Sequence, residues 1–358
     1  MSIRSIGIAL VVAALAGCGG PIATGPAGSV GRSAGPSPAV APSGSTPSRP
    51  ASAEPSPASA DPSPTLPVTG GGTWADGVPM PSRRAENAAV ALDGVIYVAG
   101  GLDGDGKALT TFEAFDTRTG TWSSLPPQPE PRDHFGLVAL DGRIYLTGGS
   151  IFFTGAIRSG LWAYDPKAAK WSALAPMPAQ RSQHGAAVVG GRIYVVGGVV
   201  RGQDSRTMWA YDPATGDWQT DLPMLPTERE HLSVVEAGGR LIAIGGRKVS
   251  NRPVVEAYDP VTNAWTTLPP MPTARGGMAA DVIDGRIHVA GGENLTSMST
   301  YPEHEVLDLA TMTWSRAPDL PTKRHGLASA VVDGRWYVIG GGRSAMLSVS
   351  DIVEVYTP

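Results

Sequence analysis

The chain has 358 residues, a formal charge of −4, 46 Gly, 33 Pro and one Cys. A single Cys excludes an internal disulfide and a thiolate zinc site. Lys and Arg (28) do not exceed Asp and Glu (32), which argues against a nucleic-acid surface. No Phe, Tyr or Trp precedes Trp74, so the leading segment lacks the large apolar surface that a core needs to offset chain entropy. The 285 residues from Trp74 to Pro358 are long enough for one sizeable domain.

Residues 1–18 carry a single positive charge, Arg4, then an apolar run from Ile6 to Leu15 that ends in Leu15-Ala16-Gly17-Cys18. Only 13 residues separate Arg4 from Cys18, too few for the roughly 20 that a membrane-crossing helix needs, so the segment is expected to be an export signal. Its last four residues resemble the lipobox of bacterial lipoproteins. That resemblance implies lipidation of Cys18, loss of residues 1–17, and anchoring to a membrane on the extracytoplasmic side of a bacterial cell envelope. Residues 19–72 hold 12 Pro and 10 Ser with four charged side chains. They are expected to form a disordered tether reaching between about 40 and about 170 Å.

From Trp74 onward two ladders share one period. Glycine doublets at Gly100, Gly148, Gly197, Gly245, Gly291 and Gly340 step by 46 to 49 residues, and Trp74, Trp122, Trp171, Trp218, Trp265 and Trp314 step by 47 to 49. Six copies of one unit follow, since 285 residues divide into six units of 47.5. Each unit begins with an Arg 16 residues before its doublet: Arg84, Arg132, Arg181, Arg229, Arg275 and Arg324. Ten residues after each Arg comes a Gly, as in Asp93-Gly94 and Asp333-Gly334, between apolar runs. Such dipeptides mark tight hairpins, because both turn residues take positive φ. A third run ends in Tyr-Asp-Pro or a variant of it, and a fourth starts at the Trp. Four short strands per unit and no amphipathic helical stretch predict an all-β domain of antiparallel sheets.

Arg, Gly-Gly, Tyr-Asp-Pro and Trp in this order resemble the kelch repeat, and the resemblance spans residues 73–358. It implies a six-bladed β-propeller with four antiparallel strands per blade. The sixth unit ends at Tyr356-Thr357-Pro358 without a Trp strand. Trp74, ahead of the first complete unit, is expected to supply that strand and close the ring.

Glycine doublets, Trp and Tyr at repeated positions are expected in the core. The six Arg residues are open to two readings, a structural contact to carbonyls or an anion site around a central opening. Loops between the second and third strands vary in length and share a face with the Arg links, and variable loops on a rigid scaffold are where binding residues gather. That face carries His134, His184, His231, His325 and Arg247, with Glu230 and His231 as candidate catalytic groups beside Arg229. A polar, partly cationic opening is expected there, and only His288 among the His residues is expected within a strand. The His residues lack the short spacing of a helical zinc site, and neither a metal nor a cofactor is expected. Kelch resemblance implies a recognition module for a glycan, peptide or protein, or alternatively a sugar-modifying enzyme such as a sialic acid mutarotase, and a monomer is expected. Copper chemistry of the galactose oxidase type needs a Cys that residues 73–358 lack.

Overall fold

The Asp-Gly or Gly-Gly dipeptide that ends ten residues after each repeated Arg does form a hairpin turn with both residues at positive φ, for example Asp93 (52°) with Gly94 (75°) and Gly238 (61°) with Gly239 (76°). The structure, a computed structural model, describes Leu66, Val68 and residues 71–358. Cys18, the signal and most of the tether lie outside those residues. Apart from one short 3-10 turn at Phe152–Thr154, the secondary structure is all strand.

The first unit shows the pattern: Ala88–Leu92, Val95–Ala99, Phe112–Asp116 and Thr121–Ser124 pair in sequence order as an antiparallel sheet. Asp116 closes the second hairpin by accepting the backbone N–H of Arg118 at 2.9 Å, and Asp165, Asp212 and Asp259 of the Tyr-Asp pairs accept likewise from the residue two further on. Six such four-stranded sheets are present among the described residues. In the sixth, Ala328–Val332, Arg335–Ile339 and Val353–Thr357 are joined at the outer edge by Thr73–Asp76, with Trp74 opposite Tyr356. The N-terminal strand thus completes the last sheet, as the missing Trp strand required, and removes an open sheet edge.

The first strand of every sheet touches the first strands of its two neighbours, and these contacts run in a closed cycle from Ala88–Leu92 round to Ala328–Val332. Between sheets lie apolar layers. The second residue of each second strand (Ile96, Ile144, Ile193, Leu241, Ile287 and Trp336) is wholly buried. The ladder tryptophans latch one sheet to the next: every indole N–H donates to a backbone carbonyl of the preceding unit at 2.8 to 3.2 Å, with Trp74 reaching Pro318 to close the circle. These indoles are half-buried rather than core residues, because the outermost strand faces water on one side.

Candidate functional site

Inside the ring of sheets, two circles of backbone hydrogen bonds shape one end of the central channel. In the outer circle the second Gly of each doublet donates to the carbonyl of the next unit's Arg at 2.8 to 3.0 Å, closing with Gly341 to Arg84. This explains the doublet: a Cβ on Gly100 would sit 2.6 Å from the Arg132 carbonyl oxygen. The close approach is to the next link, not to a neighbouring strand.

The inner circle is formed two residues beyond each Arg, by Glu86, His134, Gln183, His231, Gly277 and Gly326. All six take left-handed φ between 50° and 66°. Each donates its N–H to the carbonyl of the equivalent residue in the preceding unit at 2.8 to 3.2 Å, the circle closing through Glu86 to Gly326. Left-handed backbone is costly for residues with a Cβ. Here it is fixed by bonds to both neighbours around the circle. Four side chains and two glycines therefore ring the channel at one level.

The six Arg residues do not line the opening, which corrects the anion-site reading and with it the expectation of a cationic mouth. Arg84, Arg132, Arg181, Arg229, Arg275 and Arg324 are at most 1% exposed. Their guanidiniums bind within their own units, mostly to backbone carbonyls such as Gly148 for Arg132 and Val289 for Arg275. Four also pair with a Glu on the third strand: Arg84 with Glu113, Arg229 with Glu256, Arg275 with Glu305 and Arg324 with Glu354. In the second and third units a Trp takes the place of that Glu. Arg132 turns to Glu130, and Arg181 lies 4.0 Å from the Trp209 ring centroid as a cation–π pair. Without a carboxylate partner, burial lowers Arg181 to about 9.

His184 is also displaced from the expected site. It stands one residue beyond the inner circle, turns between sheets and shares a hydrogen bond with Thr147 at 2.8 Å. Burial, then the Arg181 charge, hold it down at about 3. His304 is a strand residue, not a loop one. Its Nε2 lies 2.9 Å from His288 Nδ1, both rings pack against Trp336 and Tyr356, and that of His304 also meets Trp74.

His134, His231, His325 and Arg247 do converge, with Glu230, at the channel mouth. They are joined there by Glu86, Asp133, Gln183 and Glu293. His134 Nδ1 is 2.6 Å from Asp133 and its Nε2 is 3.3 Å from Glu86. Burial opposes charge on this imidazole, but Glu86 and the hydrogen bond and charge of Asp133 outweigh it, and its pKa is raised. His231 has the opposite balance: burial, then Arg247, His134 and His325, push it well below the ordinary range. Its Nδ1 meets the Glu230 carboxylate, whose charge is already answered by Arg247 at 2.8 Å. Arg247 reaches Glu293 at the same distance, and His325 Nε2 lies 3.5 Å from Glu293.

Above the inner circle this cluster floors a cavity of about 300 Å³. One side of its wall is apolar, built by Leu102, Phe152, Leu295, Met346 and Leu347 from variable loops. Below the circle the channel continues between small apolar residues such as Ala89, Ala186 and Ala280. Of the residues the sequence assigned to the loop face, His134, His231, His325 and Arg247 border this cavity, and Gln183, which was not named, borders it too. A usable signal was present: position two beyond the Arg holds Glu, His, Gln, His, Gly and Gly, whereas the Arg itself never changes.

A closed ring of four-stranded antiparallel sheets around an axial channel, with link and loop side chains at one mouth, defines a kelch-type β-propeller. Residues 96–352 match the family model described as the Attractin/LZTR1 beta-propeller, and the chain belongs to that family. No curated protein matches the chain. Among solved structures, the one titled "Structure of YjhT" superimposes with a TM-score of 0.69 at 19% identity, covering 78% of this chain and 96% of that one. At that identity the likeness speaks for the fold alone.

Proposed function

We propose that the protein is a recognition module, displayed on the bacterial cell envelope by lipid on Cys18, that seats the end of a glycan, peptide or protein in the axial mouth. The observation that carries this reading is the 300 Å³ cavity, in which an apolar wall from variable loops faces a polar floor from five links. Its charge refines the ligand. Glu86, Asp133, Glu230 and Glu293 outnumber the cationic Arg247, whose guanidinium is held between two of them. A free carboxylate finds no unpaired cation there. A group that donates hydrogen bonds, such as the hydroxyls of a neutral sugar or an amine, suits the acceptors, while Phe152 and Leu295 cover its apolar face.

Calorimetry of the full chain in EDTA against neutral hexoses, hexosamines, acidic sugars and a Lys-ended peptide tests this. The expected result is binding of a neutral or amine-bearing ligand, weakened at least tenfold by Glu293→Gln or Phe152→Ala. Preference for an acidic sugar, or affinity indifferent to both substitutions, would overturn it. NMR anomer exchange on any bound sugar separates recognition from turnover of the mutarotase type.

A further inference from the structure

Gly277 and Gly326 leave one arc of the inner circle without side chains, so Glu86, His134, Gln183 and His231 are consecutive on the other arc. One Glu86 oxygen, one His134 nitrogen and one His231 nitrogen lie within 4.8 Å of one another. The Glu86 Oε2 to His134 Nε2 separation is 3.3 Å. Zinc bonds of about 2.0–2.1 Å at tetrahedral angles place neighbouring ligand atoms about 3.3–3.4 Å apart, so this pair already spans one edge of such a site.

The surroundings resemble those of a held ligand set. Metal-ligating imidazoles commonly donate their other N–H to a carboxylate, which fixes tautomer and ring direction. His134 Nδ1 faces Asp133, which in turn accepts from the Ser150 hydroxyl and from the Phe152 N–H at 2.9 Å. His231 Nδ1 rests against Glu230, which Arg247 anchors. In both residues Nε2 is the nitrogen left for the channel. The side chains are 7% exposed for each imidazole and 15% for Glu86, yet they border the ligand-sized cavity. Gly326 is part of the construction, since a Cβ there would lie 2.5 Å from Glu86 Oε1.

We propose that Glu86, His134 and His231 form a binding site for a first-row divalent transition-metal ion of the zinc type, with an open coordination position toward the mouth cavity. Two imidazoles and one carboxylate suit zinc and its neighbours, whereas calcium calls for six or more oxygens. Excess carboxylate charge around the mouth favours a dication further. The site shares the cavity assigned to ligand recognition but does not depend on it. Binding of a sugar in EDTA together with failure to bind zinc would remove the metal and leave the recognition reading standing.

The test uses full-length, tag-free protein stripped with EDTA and titrated with zinc chloride against a chromophoric chelator near neutral pH. One zinc per chain is expected, with cobalt giving the intense visible bands of a low-coordinate site. Affinity should fall more than about 100-fold in His231→Ala and Glu86→Gln, and about 10–100-fold in Asp133→Asn, which among the three ligands touches only His134. His288→Gln, an imidazole within the fifth sheet and away from the mouth, should leave it within threefold. Circular dichroism of each metal-free variant checks folding, and the near-isosteric Glu86→Gln keeps the test decisive if His231→Ala unfolds. Substoichiometric zinc, unchanged affinity in Glu86→Gln, or an equal loss in His288→Gln would overturn the assignment.

Discussion

Two positions only two residues apart on the same six links have opposite characters. At the first, Arg recurs six times, fully enclosed and bonded within its own unit. At the second, six equivalent backbones carry four residue types facing one channel. A residue repeated without change in every unit answers a need that every unit shares, here the supply of donors to buried carbonyls and carboxylates. A position with the same backbone but different side chains is free of that need, and its chemistry belongs to the molecule as a whole.

Substitution of the frame sharpens this contrast most. Arg229→Ala leaves Glu256 buried without its partner and should cost about 3–5 kcal/mol in urea unfolding, with loss of the folded state if the domain is marginal. Arg181→Ala strands no carboxylate and should cost less. Equal losses would mean that the Glu partners add nothing. Trp74→Ala removes a half-buried indole with its bond to Pro318 at the point where the ring closes, and should cost about 3 kcal/mol. A chain beginning at Arg83, which lacks the whole closing strand, should aggregate instead of melting like the parent.

Three buried titrating residues near the fifth and sixth sheets, two His and one Asp, predict opposing pH effects. Burial first holds His288 at about 4 and His304 at about 3, below the 6.5 of an exposed imidazole. The unfolded chain therefore binds these protons first, and their contribution is complete above pH 6.5 and lost as pH falls toward 4. A drop on the order of 3 kcal/mol from each imidazole is expected between pH 7 and pH 4, and His304→Gln should roughly halve the total. Asp281, raised by burial to about 6 despite bonds from Ser329 and Trp336, acts the other way. Its protonated form is favoured in the fold, so it costs stability as pH rises through 6. Asp281→Asn should accordingly stabilise by about 1–2 kcal/mol at pH 7.5 and have almost no effect at pH 4, read by thermal melts at both.

The smallest effect belongs to the mouth. Gln183→Ala, on the inner circle, should change stability by less than about 0.5 kcal/mol, because its structural work is done by the backbone and not by the side chain. A loss as large as that of Arg229→Ala would erase the distinction between frame and mouth.

Much of the architecture was legible in the chain alone. The doublets and Trp ladder counted the units, Asp-Gly pairs located the hairpins, and the missing last Trp strand pointed to closure through Trp74. These features are read locally, because a turn or a two-residue alternation depends on adjacent residues. Which residue of each link faces the axis was not legible. That depends on left-handed backbone at Glu86, His134, Gln183 and His231, which is imposed by hydrogen bonds between units and has no local propensity behind it. Likewise Glu86 and His231 are 145 positions apart, and only closure of the ring makes them neighbours. Tertiary structure also decided the charge of the mouth, since it withdrew six guanidiniums into the sheets and left the carboxylates of Glu86, Asp133, Glu230 and Glu293 around the channel.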